Sequence, residues 1–83
     1  MSRAWPPLKR REVRAILKEC GFVVVDSKGS HEKWRTTIKG QERNVIVDDY
    51  DEFDGDVLRS IVNQSGLTRE EFYGATKKTS KKI

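Results

Sequence analysis

The part of the sequence best suited to chemistry runs from Lys28 to Arg35, Lys-Gly-Ser-His-Glu-Lys-Trp-Arg. It contains His31, the only histidine in the chain, directly after a Gly-Ser pair that favours a turn. Imidazole titrates near neutral pH, at about 6.5 when unperturbed, so one histidine can both accept and donate a proton under physiological conditions. Two cations, Lys33 and Arg35, follow it at alternate positions. The segment therefore combines a proton carrier with positive charge.

This combination suits the cleavage of RNA without a metal ion. RNA supplies its own nucleophile, the 2′-hydroxyl beside each phosphodiester, so a nuclease needs a proton acceptor or donor and cations for the charge that builds on phosphorus. His31 is the candidate general acid or base. The candidate RNA-binding residues are Lys28, Gly29, Ser30, Lys33 and Arg35. Two alternatives stay open, because His31 is equally well explained as an exposed strand residue and Ser30 as a turn residue.

Other chemistries fit the sequence less well. A structural zinc site is excluded, because one cysteine and one histidine cannot supply four ligands. A Ser-His-Asp triad would have to use Ser30 beside His31, and adjacent strand residues face opposite ways. The acidic run over residues 48–56 fails the EF-hand pattern, since its glycine would place a tyrosine and an isoleucine at the first and last ligand positions. We therefore expect no metal ion and no cofactor.

The charge of the chain changes sign along its length. Its 83 residues, 36% of them charged, carry a net charge of +4 and predict one domain over residues 1–83. Basic residues dominate up to Val47, residues 48–56 contain carboxylates and no base, and the tail from Lys77 is basic again. The basic part suits a polyanionic partner such as nucleic acid. A solvated basic surface without a partner explains the charge equally well.

Two features predict a cytoplasmic protein. No apolar run approaches the roughly 18 residues of a membrane span, and the N-terminus lacks the apolar core of a signal peptide. The single cysteine, Cys20, falls on the apolar face of a predicted helix, which favours a reduced, buried packing residue.

Hydrophobic periodicity and turn residues predict an α-β-β-β-α order with a short C-terminal helix. The expected helices span about 8–20, about 55–65 and a short stretch from Arg69, and the expected strands span 22–27, 31–38 and 43–48. The turns fall at 28–30 and 39–42, Tyr50 and Phe53 pin the acidic loop to the core, and Thr68 to Glu71 forms a capping box. Residues 1–7 are predicted to form an arm anchored by Trp5, and residues 77–83 a frayed basic tail.

The alternation of the second strand separates a core face from an open face. Trp34, Thr36 and Ile38 are expected to point to the core. The opposite side carries His31, Lys33, Arg35 and Thr37. Both main helices should cover the Trp34 face and leave the His31 face open. The predicted fold class is therefore α+β, a three-stranded antiparallel sheet with two helices on one face.

Three segments together resemble the HicA family of toxins from bacterial toxin–antitoxin pairs. They are Leu8–Val13 with Leu17 and Gly21-Phe22, then Lys28–Trp34, then Leu58–Leu67. The resemblance covers roughly residues 6–72, and its most specific part is Gly-Ser-His followed by an aromatic residue three positions after the histidine.

The resemblance implies a fold similar to double-stranded-RNA-binding domains (dsRBD-like) and activity as a ribosome-independent mRNA endonuclease, with His31 as the catalytic residue. It also implies a HicB-type antitoxin that covers the His31 face and often carries a DNA-binding segment, so that the toxin associates with DNA indirectly. Many members have a more basic or proline- and histidine-containing segment where this chain has the acidic residues 47–54. This departure bears on RNA affinity and substrate choice.

Three hypotheses follow for the function. The first is an RNA-cleaving toxin. The second is a non-catalytic module of the same fold that binds double-stranded RNA through its shape and phosphates, which needs no histidine. The third, compatible with the first, treats the chain as one half of an obligate complex docked through its open sheet face.

Overall fold

The computed structural model describes residues 4–83. Its elements are β1 (Leu8–Lys9), α1 (Arg10–Glu19), β2 (Val23–Lys28), β3 (His31–Ile38), β4 (Gln41–Asp48), β5 (Glu52–Phe53), α2 (Gly55–Ser65), α3 (Arg69–Gly74) and α4 (Lys77–Ser80). The three long strands form an antiparallel sheet in the order β2-β3-β4, and β1 pairs with β5. The predicted α-β-β-β-α order is confirmed.

Two tight turns set the register of the sheet. Gly29-Ser30 joins β2 to β3, with Gly29 at a φ of 56°, and Lys39-Gly40 joins β3 to β4. Lys39 and Gly40 have φ angles of 52° and 78°, as two-residue hairpin turns require. The expected four-residue turn over 39–42 is therefore wrong, because the next two residues already belong to β4. Ile38 pairs with Gln41, and this register ends at His31 opposite Asp48.

The core lies on the predicted face of the sheet. Trp34 is 1% exposed and shares the core with residues of both main helices. The buried partners on α1, β4 and α2 are Val13, Ile16, Leu17, Val45, Val47, Leu58, Ile61 and Val62. Burial of each such aliphatic side chain stabilises the fold by about 1.5–3 kcal/mol. Within residues 4–83, no helix covers the opposite face of the sheet.

The first helix begins later than expected. Leu8 and Lys9 pair with Phe53 and Glu52 as a two-residue strand, and α1 starts at Arg10. The Lys9 backbone N–H donates to Glu12 Oε1 at 2.9 Å and so satisfies a free donor at the helix start. Leu8 and Phe53 are fully buried, so this pairing closes the acidic loop over the core.

Of the two aromatic residues predicted to pin the acidic loop, only Phe53 does so from the core. Tyr50 is 46% exposed and contacts Phe53 edge to face, with ring centroids 5.6 Å apart. The caps of α2 follow the prediction, because Asp54 accepts a hydrogen bond from Val57 N at 3.0 Å and Gly66 ends the helix in a left-handed conformation.

The C-terminal segment is more ordered than predicted. The Thr68–Glu71 capping box is present, with hydrogen bonds of 2.9 and 3.0 Å, and α3 follows it. Residues 77–80 then form α4 instead of a frayed tail. The physical reason is Thr79, which is 1% exposed and whose hydroxyl donates to the Tyr73 carbonyl at 2.6 Å. The lysines of this segment point outward, which is why composition alone suggested fraying.

The N-terminal arm packs against α3. The rings of Trp5 and Tyr73 lie 6.2 Å apart, and the Tyr73 hydroxyl donates to the Pro6 carbonyl at 2.7 Å. The first three residues of the predicted arm lie outside the described residues. In the part of the chain that the structure describes, no helix is long and apolar enough to cross a membrane.

Candidate active site

His31 is the first residue of β3, the central strand, and is paired with one residue on each neighbouring strand. Lys28 of β2 lies across from it on one side and Asp48 of β4 on the other. The turn that precedes it and the two flanking strands fix its backbone, while its side chain remains 63% exposed. The position therefore combines a rigid backbone with an accessible imidazole, as a proton-transfer group needs.

A short contact joins His31 to Asp48. The imidazole Nδ1 lies 2.5 Å from Asp48 Oδ1. Asp48 is the last residue of β4 and its side chain is 31% exposed, so the carboxylate is partly shielded from water. The other ring nitrogen, Nε2, has no hydrogen-bond partner among residues 4–83 and is available to a ligand.

Two of the predicted cations share a groove with His31. The next row of the open face consists of Asp26, Lys33 and Ile46. Together with Lys28 and His31, these residues line a shallow groove of about 250 Å³. The groove brings the predicted proton carrier and two ammonium groups to one place, and Asp26 partly offsets their charge.

Arg35 lies apart from this groove. It is four residues from His31 along β3, a separation of about 13 Å in an extended strand. Its Nε donates to Asn44 Oδ1 at 2.9 Å and lies 3.4 Å from Glu42 Oε1. The guanidinium is thus held on the open face by neighbours on β4 and does not join the histidine.

The turn residues Gly29 and Ser30 line a second groove. It has a volume of about 310 Å³ and runs between the turn, the end of β4 and the start of α1. Asp48 borders this groove, and so do Arg10 and Asp49, which form an ion pair. Of the predicted RNA-binding residues, Lys28 and Lys33 therefore lie in one groove with His31, and Gly29 and Ser30 in the adjacent one.

A cluster of basic residues lies at the start of α1, beside the second groove. Its members are Lys9, Arg10, Arg11 and Arg14, which line a further groove of about 240 Å³ with Asp51. Arg14 lies over the Trp34 ring, 5.8 Å from its centroid, and its Nε is 3.6 Å from Glu32 Oε1. Arg10 borders both grooves, but the second groove also carries the carboxylates of Glu32, Asp48 and Asp49, so the positive surface is confined to the start of the helix.

Two other possible centres of chemistry are a metal site and the thiol of Cys20. Among residues 4–83, no set of three or more His, Cys, Asp and Glu side chains is placed to hold a metal ion. Cys20 packs partly buried against the core, and burial raises the pKa of its thiol, with smaller contributions from Glu71 and Glu19. A thiol with a raised pKa is a poor nucleophile at neutral pH.

Asp48 was not predicted as a member of the site. It was predicted to end the third strand, 43–48, and to begin the acidic loop. The signal was present in the second turn, because a two-residue turn at Lys39-Gly40 pairs Ile38 with Gln41 and, seven steps further along both strands, His31 with Asp48.

The arrangement of a three-stranded antiparallel sheet, two helices on one face and a short C-terminal helix defines a dsRBD-like α+β protein. The family model described as the HicA toxin of bacterial toxin–antitoxin systems matches residues 10–67. The chain therefore belongs to the HicA toxin family and is a toxin of the toxin–antitoxin type. No curated protein and no solved structure matches the chain significantly.

Proposed function

We propose that this toxin is a metal-independent endoribonuclease that cleaves mRNA, with His31 as its general acid or base. The observation that carries the proposal is the accessible imidazole of His31 in a groove that also contains Lys28 and Lys33. Family membership supports a toxic activity, and these side chains suit the chemistry of RNA cleavage.

The proposed reaction needs only the RNA and these side chains. The 2′-hydroxyl oxygen attacks the adjacent phosphorus while His31 accepts its proton. A bond forms between O2′ and phosphorus and the bond from phosphorus to O5′ breaks. The proton is then delivered to O5′ by His31 or by water. The products are a 2′,3′-cyclic phosphate and a 5′-hydroxyl end, so no external reactant is consumed.

The two lysines of the groove stabilise charge. In the transition state, negative charge grows on the non-bridging oxygens of phosphorus, and nearby ammonium groups stabilise it more than they stabilise the ground state. Lys28 and Lys33 lie on either side of His31 on the same face of the sheet. We assign them to the phosphate that is cut.

The remaining RNA-binding assignments concern phosphates on either side of the cut. Ser30 and the backbone of Gly29 lie on the path to the basic start of α1. Arg35 lies further along β3 in the opposite direction. A strand of RNA that crosses the open face over His31 therefore meets the Gly29-Ser30 turn at one end and Arg35 at the other.

We propose that a HicB-type antitoxin covers the His31 face. Within residues 4–83, this face carries no helix and borders β2, an edge strand with all six residues exposed. The opposite edge is protected, because Gln64 Oε1 accepts a hydrogen bond from the Ile46 N–H of β4 at 3.0 Å. A protein bound over β2 and the face beside it would block the groove. We place this complex in the cytoplasm, with DNA association only through the antitoxin.

The alternative is a module of the same fold that binds double-stranded RNA without cutting it. The dsRBD-like order of elements favours this second candidate. It predicts tight, salt-dependent binding of double-stranded RNA whose affinity does not depend on the His31 imidazole, because such binding depends on shape and phosphate contacts.

One assay separates the two functions. Purified protein is incubated with a single-stranded RNA in EDTA, beside His31→Ala and beside Lys18→Ala as a matched surface control on α1. We expect cleavage by the parent and by Lys18→Ala, with cyclic phosphate and 5′-hydroxyl ends, and none by His31→Ala. Intact RNA in every lane, from protein shown to be folded, would reject the nuclease in favour of the binding module. Full activity of His31→Ala would reject the role of His31.

A further inference from the structure

We infer that Asp48 is a positioning residue for His31, which holds the neutral imidazole in the Nδ1–H tautomer and leaves Nε2 free to take the proton of the RNA. The catalytic part of this inference rests on the proposed nuclease function. The tautomer itself is a property of the free protein. Neither the composition of the acidic segment nor the Gly-Ser-His motif indicates such a pair.

The contact decides which ring nitrogen carries the hydrogen. Asp48 Oδ1 lies 2.5 Å from His31 Nδ1 in an ion-pair contact. An ionised carboxylate has only acceptor atoms, so its negative charge beside Nδ1 favours the hydrogen on that nitrogen. Neutral imidazole has one N–H in total, and Nε2 is then the nitrogen with the free electron pair.

The backbone around Asp48 makes the contact a fixed one. Asp48 is paired with His31 in the sheet register, and its neighbour Val47 is 1% exposed on the core side. Because alternate residues of a strand face opposite ways, burial of Val47 directs the Asp48 side chain to the open face. The carboxylate therefore reaches Nδ1 from a strand end that the core anchors.

The effect on the reaction depends on which ring nitrogen of His31 keeps the free electron pair. An isolated histidine side chain in water prefers its hydrogen on Nε2, which would leave only Nδ1 as an acceptor. The contact with Asp48 reverses this preference and directs the basic electron pair away from β4. When Nε2 takes the proton of the 2′-hydroxyl, both ring nitrogens carry hydrogen, and Asp48 stabilises the resulting imidazolium through the same ion-pair contact.

The other charged groups around the ring make this carboxylate more important. Lys28 approaches from β2 and Lys33 lies along β3, so the imidazolium would form between two cations. Asp26 lines the same groove, but on the row of Lys33. Asp48 is the carboxylate that contacts the ring directly, and it offsets the repulsion from the lysines.

The tautomer can be read directly, because the chain contains a single histidine. ¹⁵N-labelled protein is observed by long-range ¹H–¹⁵N correlation NMR at a series of pH values, and the tautomer is read where the spectrum no longer changes as the pH rises and the ring is neutral. We expect the Nδ1–H pattern in the parent and a shift to the Nε2–H pattern in Asp48→Ala. The matched control is Glu19→Ala, which removes the same charge from an exposed position at the end of α1, away from both grooves and without a side-chain hydrogen bond or ion pair within residues 4–83. A parent in the Nε2–H form, or an Asp48→Ala spectrum that keeps the parent pattern, would overturn the inference.

Kinetics then test whether the tautomer matters. We expect Asp48→Ala to lower kcat for RNA cleavage by about 10- to 100-fold with KM changed less than about twofold, a smaller loss than the removal of the general acid–base group itself. Glu19→Ala should retain the parent kcat. An equal loss of kcat in Glu19→Ala, or a change confined to KM, would reject positioning. A parent that shows the Nδ1–H tautomer but cuts no RNA would reject the proposed function and leave the tautomer assignment intact.

Discussion

Ile38 of β3 pairs with Gln41 of β4 across a turn of only two residues. Both residues of the turn, Lys39 and Gly40, have positive φ angles. Glycine adopts this conformation freely, whereas a lysine pays a steric cost of roughly 1–2 kcal/mol. The hairpin that aligns the candidate site is thus closed by one well-suited residue and one strained residue.

Relief of this strain should stabilise the protein. We expect Lys39→Asn to raise the free energy of unfolding by about 0.5–1 kcal/mol, because asparagine tolerates the left-handed conformation and Asn-Gly is the preferred pair in such turns. Urea denaturation measures the change. Lys39→Ala is the control, since alanine removes the same charge and retains the strain. An equal gain from both variants would assign the effect to charge instead of backbone conformation.

The three cations of the open face should contribute unequally to RNA binding. Lys28→Ala and Lys33→Ala should each lower kcat, raise KM, and reduce the slope of log affinity against log salt by about 0.7, the value for one phosphate contact with a single strand. Arg35→Ala should have a smaller effect, because Asn44 and Glu42 already engage its guanidinium. RNA binding measured over a range of salt concentrations tests this order. A larger effect from Arg35→Ala would show that the RNA follows a path away from the groove.

The C-terminal helix should contribute to global stability through one buried hydroxyl. Thr79→Val keeps the shape of the side chain but removes the hydrogen bond to the Tyr73 carbonyl, and we expect a loss of about 1–3 kcal/mol. Thr37→Val, at an exposed position on β3, should change stability by less than about 0.5 kcal/mol. Urea denaturation of both variants makes the comparison. Equal stability of Thr79→Val and the parent would contradict the docking of α4.

The sequence predicted the elements whose signals are local. Trp34 and the residues that alternate with it identified the core face of β3, and Thr68 with Glu71 identified the start of α3. These succeed because alternation and capping depend on residues only a few positions apart. His31 and Lys33 were assigned to the open face for the same reason.

The errors arose where distant residues meet. Leu8 reads as the start of a helix until Phe53, far along the chain, pairs with it. Asp48 was expected to end the third strand, but a turn of four residues, in place of two, would put Tyr50 opposite His31 and leave Asp48 two residues away from that pairing. A hairpin turn sets every pair along both strands, so an error of two residues at Lys39-Gly40 was enough to hide the His31–Asp48 contact.

Alkaline conditions should destabilise the protein through Tyr73. Its ring is buried and its hydroxyl donates to the Pro6 carbonyl, and burial raises the pKa of this phenol to about 12, with the charge of Arg69 acting in the opposite direction. An unfolded tyrosine titrates at about 10. Between these values the folded state binds more protons than the unfolded state, so the free energy of unfolding falls as the pH rises. The stabilising contribution is complete below about pH 10 and is lost as the pH rises through about 12.

The same residue provides its own control. Tyr73→Phe should be less stable than the parent at neutral pH, because the Pro6 carbonyl loses its donor, and should show a weaker decline at alkaline pH. Urea denaturation at several pH values, with tyrosinate absorbance in parallel, measures both effects. Parallel pH profiles for Tyr73→Phe and the parent would show that another group controls alkaline unfolding.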